Sequence, residues 1–234
     1  KEAQLEHWRY SIASLRSAIR SGTVRGLTEK SSLSSPRSVE RLRRHDTLTS
    51  SNKGRSNLTA VDTSGRKLRY NSPISRQDPL VNDWRKRISG SHTPPSHQEQ
   101  ILILLPCSAT KPYRLSQSHH RFLRNIPSNR AHQIMVTSPL GLVPRELEDL
   151  WPAAHYDIPV TGDWDADELE MVSSMLSKIC ERANYSEIIN HSGMDISIDG
   201  IECYNTRRGT AGSKESLKEL KSCILDSIDR MNLG

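Results

Sequence analysis

Apolar residues are distributed unevenly along the chain. At the front, Leu5, Trp8, Ile12, Leu15 and Ile19 recur every three or four positions, which places them on one face of an amphipathic helix over residues 2–20. That stripe needs a partner, in this chain or another. From about Ser21 to Gln98, isolated apolar residues stand in a background of Ser, Arg, Thr, Asn and Pro. Such a composition rarely buries enough surface to offset the entropy of ordering, so the stretch reads as partly disordered. Two short helices are expected within it. One lies around Ser38–Arg44; the other covers Pro79–Ile88, where Leu80, Val81, Trp84 and Ile88 share a face. Thr93-Pro94-Pro95-Ser96 then reads as a linker or turn.

The pattern changes at Glu99. Short apolar runs predict strands at Ile101–Leu105, Gln133–Thr137, Ile158–Val160 and Glu187–Asn190. Helical spacing predicts Ser118–Asn125, Asp165–Arg182 (Leu169, Val172, Met175, Leu176, Ile179) and Ser213–Met231 (Leu217, Leu220, Ile224, Ile228). Strands alternating with helices imply an α/β fold: a three-layer, parallel-sheet core with helices on both faces. A helical and partly disordered basic segment precedes it. The expected divisions are a helix at 1–21, a basic linker at 22–96 and an α/β domain at 97–234.

Charge sharpens this division. Residues 1–99 carry 19 Lys and Arg against 9 Asp and Glu, while residues 100–234 carry 14 against 18, so a net +10 precedes a net −4. A basic front half suits a polyanionic partner, and it equally suits a solvated connector. The four cysteines form no CxxC pair, and no histidines cluster at zinc spacing, so no metal and no cofactor are expected. There is no signal-peptide pattern and no apolar run near 18 residues, which points to a soluble, cytoplasmic protein with reduced thiols and no membrane partner.

The run Ile101–Leu105 ends at Pro106, and Cys107, Lys111, Tyr113, Ser116 and His119 follow. Groups released past the carboxyl end of a parallel strand can converge on one pocket. Cys107 is a nucleophile candidate, or a small buried hydrophobe. Lys111 could hold an anion or move a proton, or be an ordinary loop lysine; Tyr113 could be a packing residue. A helix starting near Ser116 or Ser118 places His119 in its first turn, facing the pocket, where it could exchange a proton at neutral pH.

Two further clusters are candidates for substrate binding. In Thr137–Glu148 a strand is expected to give way to a loop in which Gly141 allows close backbone approach, and a helix then opens at Pro144. Ser138, Gly141, Arg145 and Glu146 are its candidates, with a helix-fixing ion pair as the alternative for the last two. In His155–Asp165 the candidates are Asp157, Thr161, Gly162 and Asp163, while Asp165 reads as a helix N-cap. Arg207 and Arg208 form a basic turn that could touch phosphate or simply be solvated.

Taken together, Pro106-Cys107-x-x-x-Lys111-Pro112-Tyr113-x-x-Ser116-x-x-His119 resembles the signature of the archaeosine synthases, a family paralogous to archaeal tRNA-guanine transglycosylase. Thr137–Glu148 and Tyr156–Asp165 are similar to the same family's central catalytic domain, and Asn71-Ser72-Pro73 and Val81–Arg87 to its lead-in. The resemblance runs over roughly residues 65–185. It implies an enzyme that adds an amine, the side chain of free lysine, to the nitrile of 7-cyano-7-deazaguanine already placed in tRNA. A radical-SAM partner then cleaves the adduct to archaeosine. It also implies that the helix at 2–20 is the end of a transglycosylase-like domain, or docks a separate transglycosylase-like or PUA subunit. Two other readings are a noncatalytic tRNA-positioning module and a general RNA-binding chain.

Overall fold

A computed structural model describes residues 2–21, 23–32, 34–51, 68–70, 73–157 and 164–232. The chain divides into two compact units, residues 1–83 and 84–234.

In the first unit, helices α1 (Glu2–Ser21), α2 (Val24–Ser32) and α3 (Pro36–Ser51) pack in succession. The two short helices expected between Ser21 and Gln98 are present, inside Pro36–Ser51 and at Pro79–Ser91, and α2 is an addition to them. α2 is held by a buried polar network that periodicity does not reveal. Arg25 Nε donates to Glu29 Oε1 at 3.0 Å and lies 3.8 Å from Asp78, and Ser75 Oγ donates to the other Glu29 oxygen at 3.1 Å. Buried charges persist when paired and hydrogen-bonded, as these are. Asp78 also caps helix α4 (Pro79–Ser91): its side chain accepts from the Leu80 amide at 2.9 Å, and Pro79 occupies the first position, where no N–H is needed. The apolar stripe of α1 stays open. Ala18 is the one residue of α1 that is buried, and Trp8 is 66% exposed.

The second unit is built on a five-stranded sheet. Its strands are β1 (Ile101–Pro106), β2 (Ala131–Thr137), β3 (Gly141–Pro144), β4 (Glu187–Asn190) and β5 (Glu202–Asn205), in the order β3-β2-β1-β4-β5. All neighbours run parallel except β3, which turns back antiparallel on β2. β1 is central, and Ile101 through Leu105 are all buried, as a strand covered on both faces requires. Helix α5 (Gln117–Asn125) joins β1 to β2, and α6 (Ala166–Cys180) follows β3 and leads to β4 on the other side of β1. Right-handed crossovers in opposite directions place these two helices on opposite faces. α6 packs on β3, while α7 (Lys214–Asn232) packs against α5 and β4. Arg230 fastens the end of α7 with two bonds to the Glu187 carboxylate, at 2.9 and 2.7 Å.

Two strands escape periodicity. Pro144 does not open a helix; it closes β3 and is followed by a single 3-10 turn, Arg145–Leu147. β5 has the sequence Glu-Cys-Tyr-Asn, an edge strand with no apolar run. The expected strand at 158–160 lies outside the described residues. Asp165 is the N-cap of α6 within a full capping box, with Glu168 N donating to it at 2.9 Å and Glu168 Oε2 accepting from the Asp165 amide at 3.2 Å.

Candidate active site

Pro106 cannot continue the ladder, so the chain leaves the sheet there and releases Cys107 at its carboxyl edge. Pro106 pairs with Val136, which brings the end of β2, Thr137, alongside. Cys107 is half-buried as a residue, and its thiol, itself largely enclosed, hydrogen-bonds with Thr137. Burial pushes the thiol above its ordinary 9.0, and the Lys111 ammonium pulls it back part of the way. The protonated thiol is therefore the resting form at neutral pH.

Lys111 is buried, and its Nζ lies 4.2 Å from the centre of the Tyr156 ring and 5.9 Å from that of Tyr113. Both phenols thus face a cation across their π-systems. Their hydroxyls form a chain: Tyr156 OH is 2.5 Å from Tyr113 OH and 2.5 Å from Thr137 Oγ1. Burial, the largest cause for each, raises both phenol pKa values above 10.0, so both stay protonated and able to donate.

Ser116 and His119 serve the scaffold beside this cluster. Ser116 is the N-cap of α5, accepting from the His119 amide at 3.2 Å. His119 is in the first turn, as expected, but it is fully enclosed and does not face open solvent. Its Nε2 lies 3.0 Å from the Pro106 carbonyl and its Nδ1 lies 3.0 Å from Arg145 Nη2. A carbonyl needs a donor and a guanidinium needs an acceptor, which fixes the neutral Nε2–H tautomer. Burial, then the Arg145 charge, pulls its pKa from 6.5 down to about 3, with the Pro106 carbonyl opposing. Tyr113, His119, Phe122 and His191 continue as a row of ring contacts, each pair with centroids 5.2 or 5.3 Å apart. His191 is likewise satisfied at both nitrogens, by Thr206 Oγ1 and the Ala211 carbonyl, each at 2.8 Å.

The second group of candidates separates in space. Ser138 donates to Glu168 at the start of α6. Gly141 has φ +80°, and a Cβ there would run into the sulfurs of Met171 and Met175, so the expected room for a ligand is filled by α6. Arg145 reaches His119 and also bonds Gln133 Oε1 at 3.1 Å and Glu148 Oε2 at 3.2 Å. Glu146 is directed elsewhere, to His92 and His132, each 3.1 Å from its Oε1. Asp157 is exposed. Thr161, Gly162 and Asp163 lie outside the described residues. Arg207 is folded onto Gly193 and donates to the carbonyls of Ser192 at 3.0 Å and Gly209 at 2.8 Å, and Arg208 pairs with Glu219 at the surface.

The structure thus gathers Cys107, Lys111 and Tyr113 with Thr137 and Tyr156, two residues that were not among the candidates. Thr137 was reachable in principle, because parallel pairing brings the end of the next strand beside Cys107. Tyr156 opens the stretch that resembles the family's central domain, but no spacing sets its phenol apart from its neighbours.

A mostly parallel α/β domain with a thiol and an ammonium at the end of its central strand defines a class. Residues 81–224 match the family described as a domain of unknown function, DUF5591, and the chain belongs to that family. Among its curated relatives are archaeosine synthases, in agreement with the resemblance carried by the Cys107–His119 signature. It is 37% identical over 174 residues to the archaeosine synthase subunit alpha of Methanosarcina acetivorans, covering 65% of this chain and 28% of that protein. It is 33% identical over 233 residues to the archaeosine synthase of Methanocaldococcus jannaschii, covering 91% and 36%. The archaeosine synthase of Haloferax volcanii is 52% identical over 90 residues, covering 38% and 15%. The chain therefore spans little more than a third, at most, of these relatives. Among the described residues, no helix is long and apolar enough to cross a membrane.

Proposed function

We propose that this domain carries the catalytic step of a tRNA-modifying enzyme in archaeosine formation, adding an amine to the nitrile of 7-cyano-7-deazaguanine in tRNA. The observation that carries this reading is the thiol of half-buried Cys107 at the sheet edge, with the Lys111 charge acting on it and three hydroxyls linked beside it. The names of the relatives support a place in archaeosine formation, and the nitrile substrate is what the Cys107–His119 signature implies.

In the proposed step, the thiol sulfur adds to the nitrile carbon and the thiol proton passes to the nitrile nitrogen, giving a thioimidate. The amine of free lysine then attacks the same carbon, the C–S bond breaks, and the sulfur recovers a proton from the incoming nitrogen. The product is an amidine, with no atom left over. Lys111 and the Tyr113 hydroxyl stabilise the nitrogen as charge develops on it. His119 has both ring nitrogens engaged, so it acts by holding Arg145 and the Pro106 carbonyl in place. A radical-SAM enzyme and a transglycosylase-like or PUA subunit are the proposed partners, with tRNA meeting the basic front half.

The test uses cyano-modified tRNA, labelled lysine and the purified chain, alone and with the proposed partner subunits. Label is expected in tRNA and should be lost in Cys107→Ala. Near-normal labelling by Cys107→Ala would remove the covalent step. A chain that binds the tRNA but never labels it, under any of these conditions, would make the domain a positioning module instead.

A further inference from the structure

We propose that His92, His132 and Glu146 form a binding site for a divalent transition metal of the zinc class, at the opposite end of the sheet from Cys107. His92 follows α4, His132 stands in β2, and Glu146 lies in the turn after β3. Glu146 Oε1 is 3.1 Å from the Nε2 of each histidine, and one ligand atom from each of the three residues lies within 4.8 Å of the other two. Bonds of about 2.0–2.1 Å in tetrahedral geometry place ligand atoms about 3.4 Å apart, so a small closing movement would seat an ion. Two imidazoles and a carboxylate suit zinc, cobalt or nickel better than magnesium or calcium.

Three further observations favour a metal over a plain hydrogen-bonded triad. First, His92 Nε2 is buried, and among the described residues it has no hydrogen-bond partner; it is close to the carboxylate oxygen without donor–acceptor geometry. Second, the His132 ring is held from behind, with Tyr185 OH 2.5 Å from its Nδ1. If Nε2 binds an ion, Nδ1 carries the proton and donates to that hydroxyl, the outer-shell support common to metal-bound histidines. Third, the backbone carrying His92 is fixed, because the Arg182 guanidinium donates to the carbonyls of Ile88, Ser89 and His92. The His132 side chain is 0% exposed and that of Glu146 is 31% exposed, so the fourth coordination position opens toward water on the carboxylate side.

The site is distinct from the thiol cluster. His132 pairs with Leu102 near the start of β1, and Cys107 lies five residues further on, about 17 Å at about 3.3 Å per residue.

The full chain, stripped with a chelator, should be titrated with Co²⁺ and then challenged with Zn²⁺. The expected result is one equivalent of Co²⁺ per chain, the intense visible bands of low-coordinate cobalt, no sulfur-to-cobalt charge transfer, and displacement by one equivalent of Zn²⁺. His92→Ala and Glu146→Ala, at the less buried positions, should abolish the bands while circular dichroism stays native. Tyr185→Phe, which removes only the outer-shell partner, should weaken Zn²⁺ about 10- to 100-fold. Failure of the native chain to bind one equivalent, a thiolate charge-transfer band, or bands that survive His92→Ala would each overturn the site.

Discussion

Replacing His119 with Gln provides a sharp test of the tautomer and charge assigned to it. Glutamine offers an N–H for the Pro106 carbonyl and an oxygen for Arg145, so it can mimic both contacts, but it does not titrate. In the native protein the imidazole's pKa falls from 6.5 to about 3. The unfolded chain then binds a proton near pH 6.5 that the folded chain refuses until about pH 3. Stability is therefore full above pH 6.5 and is lost as the pH falls through this window, with a slope approaching about 1.4 kcal/mol per pH unit. Between pH 7 and pH 5 the loss from this one residue is about 2 kcal/mol. Urea unfolding of both proteins at pH 7, 6 and 5 measures it, because other groups, including His191, cancel in the comparison. His119→Gln should be less stable at pH 7 and should lose about 2 kcal/mol less than the native protein on going to pH 5. Equal losses in the two proteins would show that His119 is not held neutral, and the hydrogen-bond assignment would fall with it.

Other expected outcomes follow from the same geometry. Iodoacetamide labelling of Cys107, followed by peptide mass spectrometry, should keep accelerating above pH 9, because burial raises the thiol; Lys111→Met, which removes the opposing charge, should slow it further at every pH below that. Gly141→Ala should destabilise by about 1–2 kcal/mol through its left-handed backbone, and by roughly another 1–3 kcal/mol through collision with Met171 and Met175, read by chemical denaturation. Asp165→Ala removes half of the capping box at α6 and should cost about 1 kcal/mol, while Asp165→Asn should cost much less.

The parts of the fold that could be read from sequence are those where one physical requirement dominates. Ile101–Leu105 is a strand because a central parallel strand has no face left for polar residues, and α5, α6 and α7 follow from their spacing with ends within two residues. What was missed depends on contacts remote in sequence. Gly141–Pro144 has the residues of a loop and becomes a strand because β2 offers it a partner. Helix α2 looks too polar to order until Arg25 meets Glu29, Ser75 and Asp78, whereas α3 contains the short helix expected around Ser38–Arg44 and runs on to Ser51. In the candidate site, Cys107, Lys111 and Tyr113 follow one strand end and are legible together, whereas Tyr156 arrives from a short two-residue strand distant in sequence. His92, His132 and Glu146 were invisible because linear spacing carries no trace of a cluster assembled from a helix end, a strand and a turn. His119 was legible in position and not in role, since only its two partners fix its charge.

The proline that ends β1 makes the first strand intolerant of changes in length. Side chains alternate across a sheet, so removing or adding one residue between Ile101 and Leu105 would turn the strand residues beyond the change toward the opposite layer. Loops tolerate added residues, but here a shift of a single position would reverse which side chains meet each layer. Evolution and engineering alike must therefore change this strand in place, one side chain at a time.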